Sequence, residues 1–172
     1  MDKSFKYYLT QIISGNDLSD KQMTEVMTEI MTGKLSASQI AGFMIGMRIK
    51  GEAIEEIACA AKVMRNHSNL VTLNNRNHLI DTCGTGGDSL QTFNVSTVSA
   101  LIAAAAGARV AKHGGRSVSS KCGSADVLER IGVNVNLTHE QITKLVDKIG
   151  IGFMFAPNYH SAMKHVAPVR RE

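Results

Sequence analysis

Near residue 70 the pattern of apolar residues changes, and this change divides the chain into two kinds of structure. Before it, apolar side chains recur at helical spacing, as Met23, Met27 and Ile30 do. After it, short apolar runs alternate with helical stretches, a pattern typical of a parallel sheet with helical crossovers. We therefore predict an α/β protein: a small all-helical N-terminal domain followed by an incomplete α/β domain with a mainly parallel sheet.

Capping signals place the helices of the first part. Ser19 with Gln22 and Ser36 with Gln39 each fit a capping box, in which a serine oxygen and a glutamine side chain bond free backbone amides. A third helix is predicted from about Ile54 to Arg65. The glycines expected to end the first two helices are Gly33 and Gly51.

The second part is predicted to alternate strands and helices. Its elements are expected at Leu79 to Thr82, Val95 to Ala106, Arg109 to Ala111, Ala125 to Ile131, Val133 to Val135, Glu140 to Ile149, Gly152 to Ala156 and Tyr159 to Val166. The polar stretch before it is rich in turn-forming residues and is predicted to be a hinge. The predicted division is a helical domain at 1–70, a hinge at 71–78 and the first part of an α/β domain at 79–172.

Charge and cysteine content favour a cytoplasmic protein that binds a small anion. No acidic residue occurs from Arg109 to Ala125, although five basic side chains fall there. No aromatic residue separates them, so a phosphorylated small molecule is favoured over nucleic acid. Three scattered cysteines favour free thiols over disulfides or zinc. The apolar run from Val98 to Ala106 is too short to cross a membrane, and no leader pattern opens the chain.

A glycine-rich segment, Asp81-Thr-Cys-Gly-Thr-Gly-Gly-Asp88, follows a predicted strand. Glycines there allow a sharp turn and let backbone amides approach an anion, and the helix expected to begin near Asn94 points its positive end the same way. The segment lacks the lysine of a Walker loop, and Ser89 stands where a dinucleotide-binding loop has its third glycine. It is either a phosphate-binding loop of another type or an ordinary glycine-rich turn.

Two further segments carry hydroxyl groups and positive charge. Ser96 and Thr97 lie in the first turn of the predicted helix, where they either cap it or bind phosphate oxygens or a hydrated magnesium ion. The segment from Lys112 to Asp126 supplies two lysines, one arginine and several serine hydroxyls after another short strand. A mobile lysine charge and a planar arginine suit a polyphosphate. Two such loops at neighbouring strand ends are expected to face one cleft.

Together these segments resemble the anthranilate phosphoribosyltransferases, within the superfamily that also holds the pyrimidine nucleoside phosphorylases. The resemblance covers the helical part loosely and Asp81 to Arg170 closely. It rests on Gly-Thr-Gly-Gly-Asp, on Asn-Val-Ser-Thr, on the Lys-His-Gly segment with Gly123-Ser-Ala-Asp126, and on Phe155-Ala-Pro followed by His160 and Arg170. It implies transfer of the phosphoribosyl group of phosphoribosyl pyrophosphate (PRPP) to anthranilate, with release of pyrophosphate, in tryptophan biosynthesis.

The resemblance also implies site residues. Those matching the PRPP-binding positions of the family are Gly84, Gly87, Asp88, Thr92, Asn94, Val95, Ser96, Thr97, Lys112, His113, Gly114, Gly115, Arg116, Ser117, Val118, Ser119, Ser120 and Ser124. Those matching the anthranilate-binding positions are Gly84, Gly115, His160 and Arg170. Ser96 matches the family's ligand for magnesium, Mg²⁺ being the implied cofactor. Gly115 departs from the asparagine usual in the family, which implies that one hydrogen bond to the acceptor is lost or passes through water.

Further expectations come with the resemblance. Catalysis would need no covalent nucleophile, and Cys83 and Cys122 are interpreted as small buried thiols. Dimerisation through the helical domain implies a homodimer. The family continues for roughly as many residues again and brings an Asp-Glu pair for a second magnesium ion, so we expect this chain to be a fragment of impaired activity, with Arg170 in solvent.

Two rival functions stay open at this point. A nucleoside phosphorylase would use phosphate and a pyrimidine nucleoside in the same cleft. A non-catalytic module that dimerises and weakly binds phosphate would turn nothing over. His113 is either a phosphate ligand or a loop cap, and His160 is preferred for function among the histidines because it lies at a predicted strand-to-helix turn.

Overall fold

The computed structural model describes residues 5–84, 93–117 and 122–171 of the chain. Within those ranges the elements, in chain order, are α1 (Phe5–Ile13), α2 (Asp20–Met31), α3 (Ala37–Lys50), α4 (Ile54–Asn66), β1 (Leu79–Ile80), α5 (Val95–Ala105), β2 (Arg109–Gly114), α6 (Ser124–Arg130), α7 (His139–Ile149), β3 (Ile151–Phe155), α8 (Ala156–Tyr159), a 3₁₀ helix (Ser161–His165) and α9 (Ala167–Arg171). They group into two compact units, one of Met1–Ser68 with His160–Glu172 and one of Asn69–Tyr159.

The helical unit begins its helices where the sequence predicts. The boxes at Ser19 and Ser36 are both formed, with each serine and its glutamine exchanging side-chain and backbone bonds. Gly33 and Gly51 follow the ends of α2 and α3 with φ of 72° and 86°, values that suit glycine. These predictions are confirmed. Helix α1 had no signal of its own in the sequence.

The core of the helical unit is formed by α1 to α4 and by the C-terminal segment. Tyr8, Val26 and Ile40 are at most 1% exposed. Val166, just after the 3₁₀ helix, packs into the same cluster. The imidazole of His165 lies against Gly33, where an added Cβ would be only 2.5 Å from the ring. The segment 160–171 therefore packs with the helical unit, whereas the sequence analysis placed it in the α/β domain.

A buried ion pair joins three elements of this unit. Glu56, which is 1% exposed, accepts hydrogen bonds from the backbone amides of Leu18 and Ala53 and from Lys50 Nζ, each at 2.8 Å. Lys50 Nζ also donates to Asp17 Oδ1 at 2.5 Å. Desolvation alone would raise the pKa of Glu56, but the Lys50 ammonium and the two amides outweigh it and hold the pKa below its usual value. The connection before α2 is thereby fixed to α3 and α4.

The second unit contains a three-stranded parallel sheet of order β1-β2-β3 among the described residues, which confirms the predicted fold class. Helix α7 packs on one face, where Gly152 leaves 2.9 Å between an added Cβ and Val146. Helix α6 packs on the other face, against Phe153 and Phe155. Since alternate side chains of a strand point to opposite faces, Ala111 meets the α7 side and Lys112 the other.

Two predicted elements are wrong. Val133–Val135 forms no strand, because the Asn134 side chain accepts the Asn136 amide at 2.9 Å and turns the chain there. Val135 is nevertheless buried beside α6. The predicted helix at 159–166 is instead the end of α8 followed by the 3₁₀ helix.

Helix α5 exposes an apolar stripe. Val95, Val98 and Ile102, spaced three and four residues apart, are 51%, 42% and 65% exposed. Ile80 on β1 is also exposed. Within the described ranges, no helix has both the length and the apolar character that a membrane span requires.

Candidate functional site

The ends of β1 and β2 are tied together by one carboxylate. Asp81, just after β1, accepts hydrogen bonds through Oδ1 from the amide of Cys83 at 2.8 Å and from the amide of His113 at 3.2 Å. Thr82 Oγ1 donates to the carbonyl of Ser96 at 2.8 Å. The structure therefore brings the start of the glycine segment, the first turn of α5 and the lysine segment to the same edge of the sheet.

Helix α5 begins at this edge with a side-chain cap. Asn94 Oδ1 accepts the Thr97 amide at 3.0 Å and the Ser96 hydroxyl at 3.2 Å. The Asn94 amide group donates to the carbonyl of Cys122 at 3.3 Å, which links the cap to the far end of the lysine segment. The predicted helix start near Asn94 is confirmed. The positive end of α5 consequently faces the site.

Lys112 is the buried charge of the site. Only 2% of the residue is exposed, and its Nζ donates to Ser96 Oγ at 3.1 Å. Within residues 5–84, 93–117 and 122–171 it forms no ion pair with a carboxylate. Burial lowers the pKa of Lys112, and the charges of Asp81 and Cys83 oppose that change only in part. A cation held in this way is stabilised by an incoming anion.

Further hydroxyl groups lie near Ser96, the residue that Lys112 Nζ contacts. Ser124 Oγ lies 3.4 Å from Ser96 Oγ and 3.5 Å from Asn94 Oδ1. Thr97 is 2% exposed, and its Oγ1 has no hydrogen-bond partner among the described residues. These groups suit phosphate oxygens, which accept several hydrogen bonds each.

The guanidinium of Arg116 forms ion pairs with two carboxylates of α6. Its guanidinium donates to Glu129 at 2.5 and 2.8 Å and to Asp126 Oδ1 at 3.4 Å, and it lies 5.5 Å from the centre of the Phe155 ring. Sequence reasoning named Asp126 as the end of the lysine segment but did not pair its carboxylate with Arg116. The position of Arg116 as a phosphate ligand thus stays a prediction that competes with an observed ion pair.

The glycine positions differ in the space around them. Gly114 sits against Phe153, 3.0 Å from where a Cβ would lie, so a side chain there would require the Phe153 ring to move by a few tenths of an ångström. Gly115 has only Ala156 Cβ within 4 Å of that point, at 3.9 Å, and Gly84 has no described atom. A Cβ at position 115 would therefore meet no clash with the described residues. The carbonyl of Gly115 accepts the Ala125 amide at 3.1 Å.

Cys83 and Cys122 are exposed free thiols, so the prediction that they are buried is wrong. Both lie in loops rather than in a core, which sequence could not show. Cys83 Sγ is 3.9 Å from His113 Nδ1, at the edge of hydrogen-bonding distance for sulfur. Asp81 and Asp126 are the residues to which sequence reasoning gave no role, although it named each at one end of a predicted segment.

Other predicted site residues lie elsewhere in the chain. His160 precedes the 3₁₀ helix, and its carbonyl accepts the Met163 amide at 2.9 Å, without a side-chain cap bond. Arg170 is exposed on α9, as expected, and both residues belong to the helical unit. Six predicted residues lie outside the described ranges, namely Gly87, Asp88, Thr92, Val118, Ser119 and Ser120.

Ser96 is the described candidate for a magnesium ligand. No group of three or more His, Cys, Asp or Glu side chains in the described part of the chain is placed to hold a metal ion. Ser96 Oγ donates to Asn94 and accepts from Lys112, and its second lone pair serves a ligand bond when the Ser124 hydroxyl donates to Asn94 Oδ1 instead of to Ser96. One neutral hydroxyl fits magnesium only if other oxygens, such as those of a phosphate, complete its shell.

Two family models match the chain. Residues 6–68 match the model described as "Glycosyl transferase family, helical bundle domain", and residues 76–172 match "Glycosyl transferase family, a/b domain". The resemblance found from the sequence motifs is thereby confirmed.

Individual proteins similar to this chain point to the same family. The chain is similar to the anthranilate phosphoribosyltransferase of Chromobacterium violaceum, 60% identical over 164 residues that cover 95% of this chain and 48% of that protein. It is similar to the solved anthranilate phosphoribosyltransferase of Thermus thermophilus, with a TM-score of 0.86 and 41% identity over 95% of this chain and 49% of that one. It is also similar to the solved anthranilate phosphoribosyltransferase of Saccharomyces cerevisiae in complex with PRPP and Mg, with a TM-score of 0.88 and 27% identity over 99% of this chain and 51% of that one. The chain spans about half the length of the curated relatives it matches.

Proposed function

Since this chain belongs to the glycosyl transferase family of these two models, we propose that it carries the donor-binding part of an anthranilate phosphoribosyltransferase. The proposed reaction transfers the phosphoribosyl group of PRPP to anthranilate and releases pyrophosphate, a step of tryptophan biosynthesis. The names of the relatives and the PRPP and Mg bound to the yeast enzyme support it.

The observation that carries the proposal is the buried Lys112. A lysine with 2% exposure and a lowered pKa is a costly feature for a fold unless an anion joins it. Its ammonium bonds Ser96 at the capped start of α5, where helix amides add further positive potential. A pyrophosphate group supplies the missing negative charge.

The chemistry follows from this placement. The amine of anthranilate attacks the anomeric carbon while the bond from that carbon to the pyrophosphate oxygen breaks, and the electron pair leaves with pyrophosphate. The amine then loses a proton to solvent. Lys112 and the α5 amides would stabilise the charge that builds on the leaving group, so no covalent nucleophile is needed. Mg²⁺ would neutralise part of that charge, held by donor oxygens and Ser96.

The remaining site assignments are part of the same proposal. The donor would contact the predicted PRPP-binding residues, and anthranilate would contact Gly84, Gly115, His160 and Arg170. The domain division at 1–70, 71–78 and 79–172 is part of the proposal as well, and the matches of the two family models to residues 6–68 and 76–172 support it. Three free thiols fit the reducing cytoplasm, where we place the protein.

A homodimer through the helical unit is also proposed. Helix α3 is apolar on both sides: Phe43 and Met47 are buried, whereas Ile45 and Ile49 are 61% and 82% exposed. A groove of about 420 Å³ runs along the exposed side, lined by Ala37, Ser38, Ala41, Met44, Ile45 and Val169. A helix that is apolar all round is usually buried, and a second copy would cover it.

Calorimetric titration with pyrophosphate, with and without Mg²⁺, tests the donor site. Lys112→Met should weaken binding about ten- to hundredfold, because one charge-assisted contact is lost. The variant should unfold at the same or a higher temperature, since a buried cation is replaced by an apolar chain of similar size. Lys148→Met, an exposed lysine of α7, is the matched control and should bind normally.

Two results would overturn the proposal. One is equal pyrophosphate affinity in Lys112→Met and in the control. The other is a chain that cleaves thymidine or uridine with inorganic phosphate while PRPP and Mg²⁺ cause no loss of anthranilate fluorescence, since that pattern belongs to a nucleoside phosphorylase.

A further inference from the structure

Asp81 lies where the bonding between β1 and β2 changes from backbone to side chain. The Arg109 amide bonds the His78 carbonyl at 3.1 Å, and the two-residue period of a strand points the His113 amide toward β1 as well. That amide bonds Asp81 Oδ1 at 3.2 Å. The carboxylate therefore continues the bonding between the strands beyond Ile80, the last residue of β1.

The same oxygen sets the turn that follows β1. Asp81 Oδ1 also accepts the Cys83 amide, two residues further on, at 2.8 Å. Aspartate favours such a turn because its side chain bonds the nearby backbone amide in place of a strand partner. Since one oxygen holds both amides, the direction in which the chain leaves β1 is tied to the position of His113 on β2.

A closed ring of contacts connects Asp81 with the buried lysine of the site. The residue after Asp81 is Thr82, which donates through Oγ1 to the Ser96 carbonyl at 2.8 Å. Ser96 Oγ accepts from Lys112 Nζ at 3.1 Å. The residue after Lys112 is His113, whose amide returns to Asp81. The ring thus ties the ends of two strands to the first turn of α5.

The charge of Asp81 is by itself unfavourable at an anion site. The carboxylate bonds the residue next to Lys112, so it repels an anion that binds the lysine. Its hydrogen bonds act the other way, because they hold the site together and because bonds to an ionised acceptor are about twice as strong as neutral ones. The two effects of Asp81 on anion binding therefore have opposite signs.

We propose that Asp81 is a positioning residue of the anion site, whose Oδ1 holds the ends of β1 and β2 in the arrangement that places Lys112 Nζ on Ser96 at the start of α5. The inference rests on the proposed function, in which this site takes the pyrophosphate of the donor. Asp81 itself does not contact the anion: it acts through the Cys83 and His113 amides.

Two substitutions separate the bonds of Asp81 from its charge. Asp81→Asn removes the negative charge but keeps an acceptor for both amides, since both bond the same oxygen. Asp81→Ala removes the charge and the acceptor together. Asn134→Ala is the matched control, because exposed Asn134 Oδ1 accepts the Asn136 amide, also two residues further on, at 2.9 Å. No second amide of the described residues bonds that oxygen.

Hydrogen exchange resolved by residue reads the strand ends without any ligand. The His113 amide should exchange about tenfold faster or more in Asp81→Ala, because its bond to the carboxylate is gone. In Asp81→Asn and Asn134→Ala its rate should stay within about threefold of the wild-type rate. Unchanged exchange in Asp81→Ala would overturn the tie between the strands.

Calorimetric titration with pyrophosphate and Mg²⁺, below the unfolding temperature of every variant, reads the anion site. Asp81→Asn should bind as tightly as the wild type or up to about threefold more tightly, since a repelling charge is gone. Asp81→Ala loses the same charge but should bind about fivefold more weakly or worse. Asn134→Ala should match the wild type. If Asp81→Ala does not fold, Asp81→Glu replaces it with the same expected loss, because it keeps the charge and displaces the oxygen.

Three results of the titration would count against these proposals. Binding in Asp81→Ala as tight as in Asp81→Asn would overturn the positioning role, because the charge alone would then account for the data. Weak binding in both variants would overturn it as well, because the acceptor oxygen would not restore the site. If the wild-type chain binds no pyrophosphate, the proposed function fails, whereas binding that Asp81→Ala retains in full removes only the inference about Asp81.

Discussion

Replacing Glu56 with glutamine should lower the free energy of unfolding by about 3 kcal/mol. Both oxygens of Glu56 are used, Oε1 by the Leu18 amide and Oε2 by Ala53 and Lys50. In glutamine one of these positions becomes an NH₂ group facing another donor. Breaking a buried ion pair typically costs about 3–5 kcal/mol, and the lower end applies because Lys50 keeps Asp17 as a partner.

Urea unfolding followed by circular dichroism measures this change. Glu55→Gln makes the same substitution at the neighbouring, exposed position of α4 and should shift the unfolding free energy by less than about 0.5 kcal/mol. A loss below about 1 kcal/mol for Glu56→Gln, or a loss equal to that of Glu55→Gln, would refute the reasoning from the buried pair.

The same pair predicts a dependence on pH. Because the pKa of Glu56 is lower in the folded state than its unfolded value of 4.5, its contribution is fully present above that value and is lost as the pH falls through the folded pKa. The stability difference between wild type and Glu56→Gln should accordingly shrink in acid. A difference that stays constant down to strongly acidic pH would contradict the direction of the shift.

Two other substitutions test the dimer surface and the start of α5. Ile45→Lys places a charge on the exposed face of α3 and should turn a dimer into a monomer in sedimentation equilibrium, with an unchanged helical spectrum; a variant that sediments like the wild type would remove α3 from the interface. Asn94→Ala removes the cap that bonds the Thr97 amide and should lower the unfolding free energy by about 1 kcal/mol and also weaken pyrophosphate binding; loss of stability with full affinity would show that the cap only supports the helix.

Local signals in the sequence predicted local structure. The serine-glutamine boxes at Ser19 and Ser36 predicted the starts of α2 and α3 because the interacting groups are three residues apart. The predicted strand at Val133–Val135 was wrong because two valines flanking an asparagine match the alternating pattern of a strand, whereas the bond from the Asn136 amide to the Asn134 side chain turns the chain there.

Properties that depend on distant contacts were not predictable. Nothing near Lys112 in the sequence shows that it is buried against Ser96, because α5 brings that hydroxyl from sixteen residues away. The ion pairs of Arg116 were not predictable because Asp126 and Glu129 lie ten and thirteen residues along the chain and reach it only through the fold of α6. Likewise, the sequence does not show that Glu56 accepts the Leu18 amide, because the two residues are 38 positions apart.

The apolar stripe of α5 has a practical consequence for every measurement in solution. The exposed apolar side chains of Val95, Val98 and Ile102 favour non-specific adhesion to other surfaces, including vessel walls and other copies of the chain. Such adhesion has no fixed stoichiometry and grows steadily with concentration, whereas a dimer through α3 saturates at two chains. A dilution series therefore separates non-specific adhesion through α5 from dimerisation through α3. Val98→Glu should reduce the adhesion and leave the dimer unchanged.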